Sequence, residues 1–175
     1  MLEITKVGIE QKKELQEICR LSYAQVFADH WTENGLELYL DEQFNLERLE
    51  SELSNEDYQY FMVIKENRTI GFAKMNYTNS PELSKSDNCE LEKIYILPEF
   101  SGSGIGKSVM KELFVIAKNL GKQFLFLCVL DTNENAIAFY KKLGFQYHSS
   151  TKLEASFFKE ELKGMYRMVL ELESV

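Results

Sequence analysis

Ser101-Gly102-Ser103-Gly104-Ile105-Gly106-Lys107 sets three glycines at alternate positions, after an apolar run at 91–97 and before a helical one. Glycine lets main-chain amides approach a ligand closely, and the first turn of a helix carries roughly half a positive charge. A strand, a tight turn and a helix in that order make a cradle for a phosphate or pyrophosphate. Residues 102–108 are also one glycine short of a P-loop, which needs glycine where Ser101 stands, and Asp131 after an apolar run mimics a magnesium-holding aspartate. That ATPase-like reading suffers because the turn falls late in a small chain, with little room for the remaining units of a parallel sheet. Elsewhere, Glu90 and Glu92 lie two apart in a strand pattern, so their side chains share a face. Asp131-Thr132-Asn133 reads as a helix start with Asn133 as its cap. The only tryptophan, Trp31, stands with Tyr39 among the acids Asp29, Glu33, Glu37, Asp41 and Glu42. That combination suits an organic cation held by carboxylates and a ring face, or equally a solvated acidic helix.

Hydrophobic periodicity supplies the elements that must position these groups. An opening strand at 3–7 precedes residues 11–27, where Leu15, Ile18, Cys19, Tyr23, Val26 and Phe27 fall at helical spacing. Further helical stretches are expected near 33–41 and 46–53. Residues 60–64 and 69–77, rich in β-branched and aromatic types, form a hairpin turned by Glu66-Asn67-Arg68. Residues 79–88 are polar, contain Pro81 and read as an exposed loop. A strand at 91–97 is closed by Pro98, and a helix at 104–120 stops at Gly121. Residues 124–130 are continuously apolar, the pattern of a strand buried on both faces. A short helix at 134–143, stopped by Gly144, is followed by strands beginning at 145–149 and at 165–172. With no repeat, low-complexity tract or linker, the pattern predicts one α/β domain over residues 1–175.

Bulk properties narrow the function. A formal net charge of −8 over 175 residues disfavours nucleic acid as a partner and suits a cationic small substrate. The longest apolar run is far short of the ~20 residues a membrane span requires, and the first residues lack the basic-then-apolar pattern of a signal peptide. Cys19, Cys89 and Cys128, odd in number and widely spaced, argue against a disulfide framework and fit a reducing cytoplasm. Cys19 and Cys128 sit in apolar patterns and read as core. His30 and His148 have no partner at zinc-ligand spacing, so no metal is expected.

The glycine turn resembles the Gln/Arg-x-x-Gly-x-Gly/Ala signature of the GNAT superfamily of N-acetyltransferases, with Gly104 and Gly106 as its glycines. A second and more specific signature, Asn-x-x-Ala-x-x-Phe-Tyr-x-x-x-Gly-Phe, is matched from Asn133 through Ala136, Phe139, Tyr140 and Gly144 to Phe145. The element order is similar to that family along essentially the whole chain. Tyr39-Leu40, Phe44-Asn45, the run from Glu90 to Ile96 and the second signature most resemble its PaiA-type spermidine/spermine acetyltransferases. The resemblance implies a mixed central sheet of about six to seven strands flanked by about four helices. It also implies transfer of an acetyl group from acetyl-coenzyme A to a primary amine by direct attack in a ternary complex.

On that resemblance, Tyr140 is the expected donor to the departing sulfur and Glu90, with Glu92, the expected base. Ile94, Tyr95 and Ile96 give main-chain groups to the pantetheine arm and the thioester carbonyl. Residues 101–107 hold the pyrophosphate, and Asn133 contacts the coenzyme. Ser101 stands where Gln or Arg is usual, which removes a side-chain contact and leaves that work to Lys107 and main-chain amides. Trp31, Glu33 and Tyr39 are the expected acceptor contacts. Two matters stay open: pairing into a homodimer through the last strands, and a sensor or scaffold that binds the coenzyme without turnover. An intact Tyr140 and a full glycine turn argue against the second.

Overall fold

In the computed structural model, which describes residues 1–83 and 85–175, the apolar patterns become seven strands of one sheet. They are β1 (Leu2–Lys6), β2 (Tyr58–Lys65), β3 (Arg68–Asn76), β4 (Asn88–Ile96), β5 (Phe124–Leu130), β6 (Gln146–Lys152) and β7 (Gly164–Glu171). Their order is β1-β2-β3-β4-β5-β7-β6, and every neighbouring pair is antiparallel except β4 with β5. On one face lie α1 (Lys12–Phe27), α2 (Gly35–Gln43) and α3 (Leu46–Leu53); on the other lie α4 (Ile105–Asn119) and α5 (Glu134–Lys142). The two faces bury separate cores. Val109, Met110 and Leu113 of α4 pack with Leu125 and Leu127 of β5, while Leu15 and Cys19 of α1 pack with Met62 and Phe72. Among the described residues no helix is long and apolar enough to cross a membrane.

Local chemistry fixes the element ends. Asn45 caps α3 by accepting from the Arg48 amide at 2.8 Å. Glu66 and Asn67 turn the β2–β3 hairpin with φ of 52° and 62°, left-handed geometry that asparagine tolerates well. The turn therefore needs two residues, and Arg68 already belongs to β3.

Two further readings of the sequence are corrected. The strand expected at 91–97 starts at Asn88, because Asn88, Cys89 and Glu90 pair with Phe124, Leu125 and Phe126 of β5. Polar residues at 88 and 90 hide that beginning from a hydrophobicity pattern. The loop at 79–88 is not wholly exposed either: Leu83 is fully buried, and so is Asn88, whose side chain bonds Ser80 and the Lys85 carbonyl. A lone leucine in a polar run carries no periodicity, so its burial was not legible.

One irregularity positions the site. Lys74 of β3 faces Lys93 of β4, but the next residue, Met75, faces Leu91, which leaves Glu92 as an extra residue. This is a β-bulge, and it inverts the alternation along β4. Cys89 and Leu91 join the α4-side core before the bulge, Ile94 and Ile96 pack on it after the bulge, and Tyr95 turns to the α1 side.

Candidate active site

Beyond the Glu90–Phe126 pair, β4 and β5 no longer bond, although both strands continue. Their divergence opens a cleft of about 250 Å³ lined by residues 91–96 of β4, residues 127–130 of β5, and Asn133, Ala136 and Tyr140 from the start and middle of α5. Main-chain groups of β4 that would have faced β5 are left without a strand partner on that edge, ready for an extended ligand. Phe27 at the end of α1 and Met165 of β7 close the opposite side.

A second hollow of about 410 Å³ adjoins it and shares Ile96. Ser101, Gly102, Gly104, Gly106 and Lys107 form its mouth, and Phe139 and Leu143 give it an apolar floor. Gly102 and Gly104 have φ of 76° and 80°, and a Cβ on either would meet nothing within 4 Å. The turn is therefore open on the side where a ligand would lie. Amides of residues 102–107 have no main-chain acceptor among the described residues, and the first hydrogen bond of α4 comes only at Ser108, which donates to Gly104 at 3.1 Å. Unpaired amides, the positive end of α4 and two lysines suit a diphosphate.

The expected contacts divide at this turn. Ser103 points its hydroxyl back to the Phe100 carbonyl at 2.8 Å, and the Ile105 side chain is buried in the core, so only their amides can serve. Lys142 was missed by sequence reasoning, yet it lines the hollow beside Lys107. Its signal was available: it lies three residues after Phe139 on one helix, hence on the same face. At Gly106 a Cβ would reach ordinary contact with the Phe139 ring, at 3.4 Å, so a larger side chain there would press on that ring and the hollow.

Asn133 takes the expected cap role, accepting from the Ala136 amide at 3.1 Å, and it also lines the cleft. Tyr140 is half-buried, edge-on to Phe139 and Phe145 at 5.3 and 5.7 Å between ring centroids. Burial pushes its phenol up to about 12, so it stays protonated and keeps a hydrogen to donate at neutral pH. Glu90 is half-buried, and burial, followed by the neighbouring Glu92 charge, raises its carboxyl to about 7. Glu92 lines the cleft itself, tied to Lys74 at 2.6 Å and to the Asn76 amide nitrogen at 3.0 Å. Cys128, read as core, is instead half-buried on the cleft wall, and burial, then Glu90, pushes its thiol up to about 11.

The acceptor residues lie apart from the cleft. Trp31 and Tyr39 pack 4.9 Å apart in an aromatic cluster that reaches the cleft through Tyr23 and Phe27. They also line a separate hollow of about 400 Å³ with Glu42 and Glu154. Glu33 is exposed in the turn before α2. Arg20 neutralises Glu37 at 2.6 Å and Asp41 at 2.7 Å, which removes both from the set of acids open to a cation.

The model of the acetyltransferase (GNAT) family matches residues 21–145, a span that holds the end of α1, the bulged strand, the glycine turn and Tyr140. The chain belongs to the acetyltransferase (GNAT) family. As a GNAT protein it is an acetyl-coenzyme A-dependent N-acetyltransferase, and the ATPase-like reading of its glycine turn falls away. A spermidine N(1)-acetyltransferase of Thermoplasma acidophilum is 28% identical over 149 residues, covering 83% of this chain and 88% of that protein. The crystal structure of PaiA N-acetyltransferase from the same organism, in complex with coenzyme A, superposes with a TM-score of 0.78 at 25% identity, over 98% and 99% of the two chains. A thialysine N-epsilon-acetyltransferase of Bos taurus is 44% identical over 62 residues, 35% of this GNAT chain and 36% of that one.

Proposed function

We propose that residues 1–175 act as one unit that acetylates a primary alkylamine, with a polyamine as the favoured acceptor, by direct attack in a ternary complex. The observation that carries this reading is a cleft that opens just past the Glu90–Phe126 pair, with the protonated phenol of Tyr140 on its wall and the half-buried Glu90 carboxylate, poised near neutrality, beside its Leu91 edge. An alkylammonium has a pKa near ~10.4, so only on the order of one molecule in two thousand is uncharged at neutral pH. Glu90 accepts the proton that the nitrogen sheds as it attacks, directly or through a water. Tyr140 donates a hydrogen bond to the departing sulfur. Complete transfer from a phenol near 12 to a thiolate whose acid is near ~8.5 runs uphill, so the phenol stabilises the leaving group and keeps its own proton. Main-chain amides of β4 hold the thioester carbonyl, and those of residues 102–107, with Lys107 and Lys142, hold the diphosphate.

Direct attack is favoured over an acyl-enzyme by the state of Cys128. With its thiol near 11, on the order of one molecule in ten thousand is thiolate at neutral pH. For the acceptor, the net charge of −8 draws in a polycation. Its distal ammonium fits the hollow of Trp31, Tyr39, Glu42 and Glu154, where neither acid has an ion-pair partner among the described residues, with Glu33 near its approach. Relatives that act on spermidine and on thialysine support an alkylamine in general.

Thiol release from acetyl-coenzyme A across a panel of spermidine, spermine, diaminoalkanes, amino acids, aminoglycosides and peptide N-termini tests the reading. Turnover is expected with at least one polyamine and intersecting initial-velocity lines. No turnover of any polyamine rejects the acceptor class, and coenzyme binding with no turnover on the whole panel rejects the enzyme reading in favour of a sensor.

A further inference from the structure

Lys74 is the least expected residue of the central sheet: a lysine only 2% exposed in the middle of β3. A buried ammonium is costly unless it is paired and hydrogen-bonded. Here it is paired twice, with Glu52 of α3 at 3.1 Å and Glu92 of β4 at 2.6 Å. It also stands over the rings of Tyr58 and Tyr60 of β2, at 4.6 and 5.6 Å from their centroids. The bulge at Glu92 makes this possible, because the extra residue sits opposite the step between Lys74 and Met75. Asn76 holds the other side of the Glu92 carboxylate, and Asn76 is itself the cross-strand neighbour of Glu90. The ammonium thus reaches, through one carboxylate, the wall of the cleft.

We propose that Lys74 is a positioning residue for the acetyl transfer read above: its buried ammonium fixes where Glu92 points and how much charge Glu90 faces. This rests on the reading of Glu90 as the base. Each element around the cluster supplies a defined group. From α3, Glu52 takes up the remainder of the ammonium and is itself bound by Arg48 at 3.1 Å and by the Tyr60 hydroxyl at 2.5 Å. Burial opposes ionisation of Glu52, but Tyr60 and Lys74 outweigh it and hold its carboxyl below the usual range. From α1, the Cys19 thiol is pushed far up by burial and stays neutral. From β4, Lys93 adds a second positive charge near Glu90; from β5, Cys128 is neutral at working pH. Two cations and one carboxylate therefore act on Glu90, and they act in opposite directions. Removing the Lys74 charge disfavours the ionised Glu90, and removing the Glu92 charge favours it.

The test combines a titration with kinetics. In protein carrying ¹³C-labelled glutamate carboxyls, the step assigned to Glu90 by its loss in Glu90→Gln is followed in Lys74→Met, Lys74→Arg and Glu92→Gln. The step moves up by about one pH unit in Lys74→Met, moves down in Glu92→Gln and keeps its midpoint in Lys74→Arg. The acid limb of kcat/KM moves in the same directions. Unmoved steps in both Lys74→Met and Glu92→Gln overturn the proposal, as does a shift of the same sign in the two. If Lys74→Met does not fold, Glu92→Gln and Lys74→Arg decide alone. A titration that shifts as stated while Glu90→Gln keeps the wild-type pH–rate limb overturns Glu90 as the base, a distinct result from an immobile titration.

Discussion

Around residues 102–107 the groups on offer are main-chain amides beside open space, whereas near Glu90 the cleft-lining carboxylate, Glu92, is locked to a buried lysine. The first region is made by what is absent: no Cβ at Gly102, Gly104 or Gly106, and no main-chain acceptor for the amides among the described residues. The second is made by what is crowded together from α3, β2, β3 and the bulge of β4. Backbone recognition of this kind depends on a few local dihedral angles, so each glycine is individually necessary. Side-chain recognition depends on a network, so single losses are expected to shift a pH midpoint or a stability rather than to abolish binding.

The largest effect is expected at the backbone end. Gly106→Val drives methyl groups between the Phe139 ring and the hollow and should weaken coenzyme A by about 100-fold or more, the loss of about two charge-assisted hydrogen bonds. Titration calorimetry checks it; unchanged affinity means that the diphosphate does not sit on the turn. Next comes Tyr140→Phe, which should lower kcat by at least ~10-fold with coenzyme affinity held. Equal turnover removes the phenol from the mechanism.

A smaller effect sharpens the contrast at the network end. Folded Glu90 keeps its proton up to about 7, while the unfolded chain releases it near the ordinary 4.5. Its contribution to stability is therefore fully present below about 4.5 and is lost as pH rises through about 7. Glu90→Gln removes that loss, so the variant should gain on the order of 1 kcal/mol relative to wild type between pH 4.5 and pH 8. Urea unfolding at the two pH values measures it, and an equal difference at both denies that Glu90 is perturbed. The smallest effect belongs to Lys142→Gln, expected to weaken coenzyme A by about 3-fold at low salt and to fade as salt rises. Salt-independent loss would mean that Lys142 acts through packing.

The same contrast explains what was legible in the sequence. The glycine turn, the helix it opens, the strand at Phe124–Leu130 and the Asn133 cap could be read because each is encoded within a few consecutive residues. The identity of Tyr140 as a cleft residue came with a local signature, and it does line the cleft. The start of β4, the bulge at Glu92, the burial of Leu83 and the pairing of Lys74 were not readable. Each is decided by residues far away in the chain: Asn88 by β5, Glu92 by β3, Lys74 by α3. Trp31 and Tyr39 show the intermediate case. Their aromatic character was plain, but that Arg20 would silence two of the neighbouring acids, and that Glu154 would join them, needed the fold.

The grip of the 102–107 amides on a diphosphate is the claim on which the other roles depend, because it sets where the thioester lies relative to Tyr140 and Glu90. Backbone ¹H–¹⁵N spectra recorded while coenzyme A, and separately pantetheine, is added test it most directly. Coenzyme A should shift the amides of residues 102–107 strongly and pantetheine should shift mainly those of β4. Saturating coenzyme A that leaves the 102–107 amides unmoved would contradict the account.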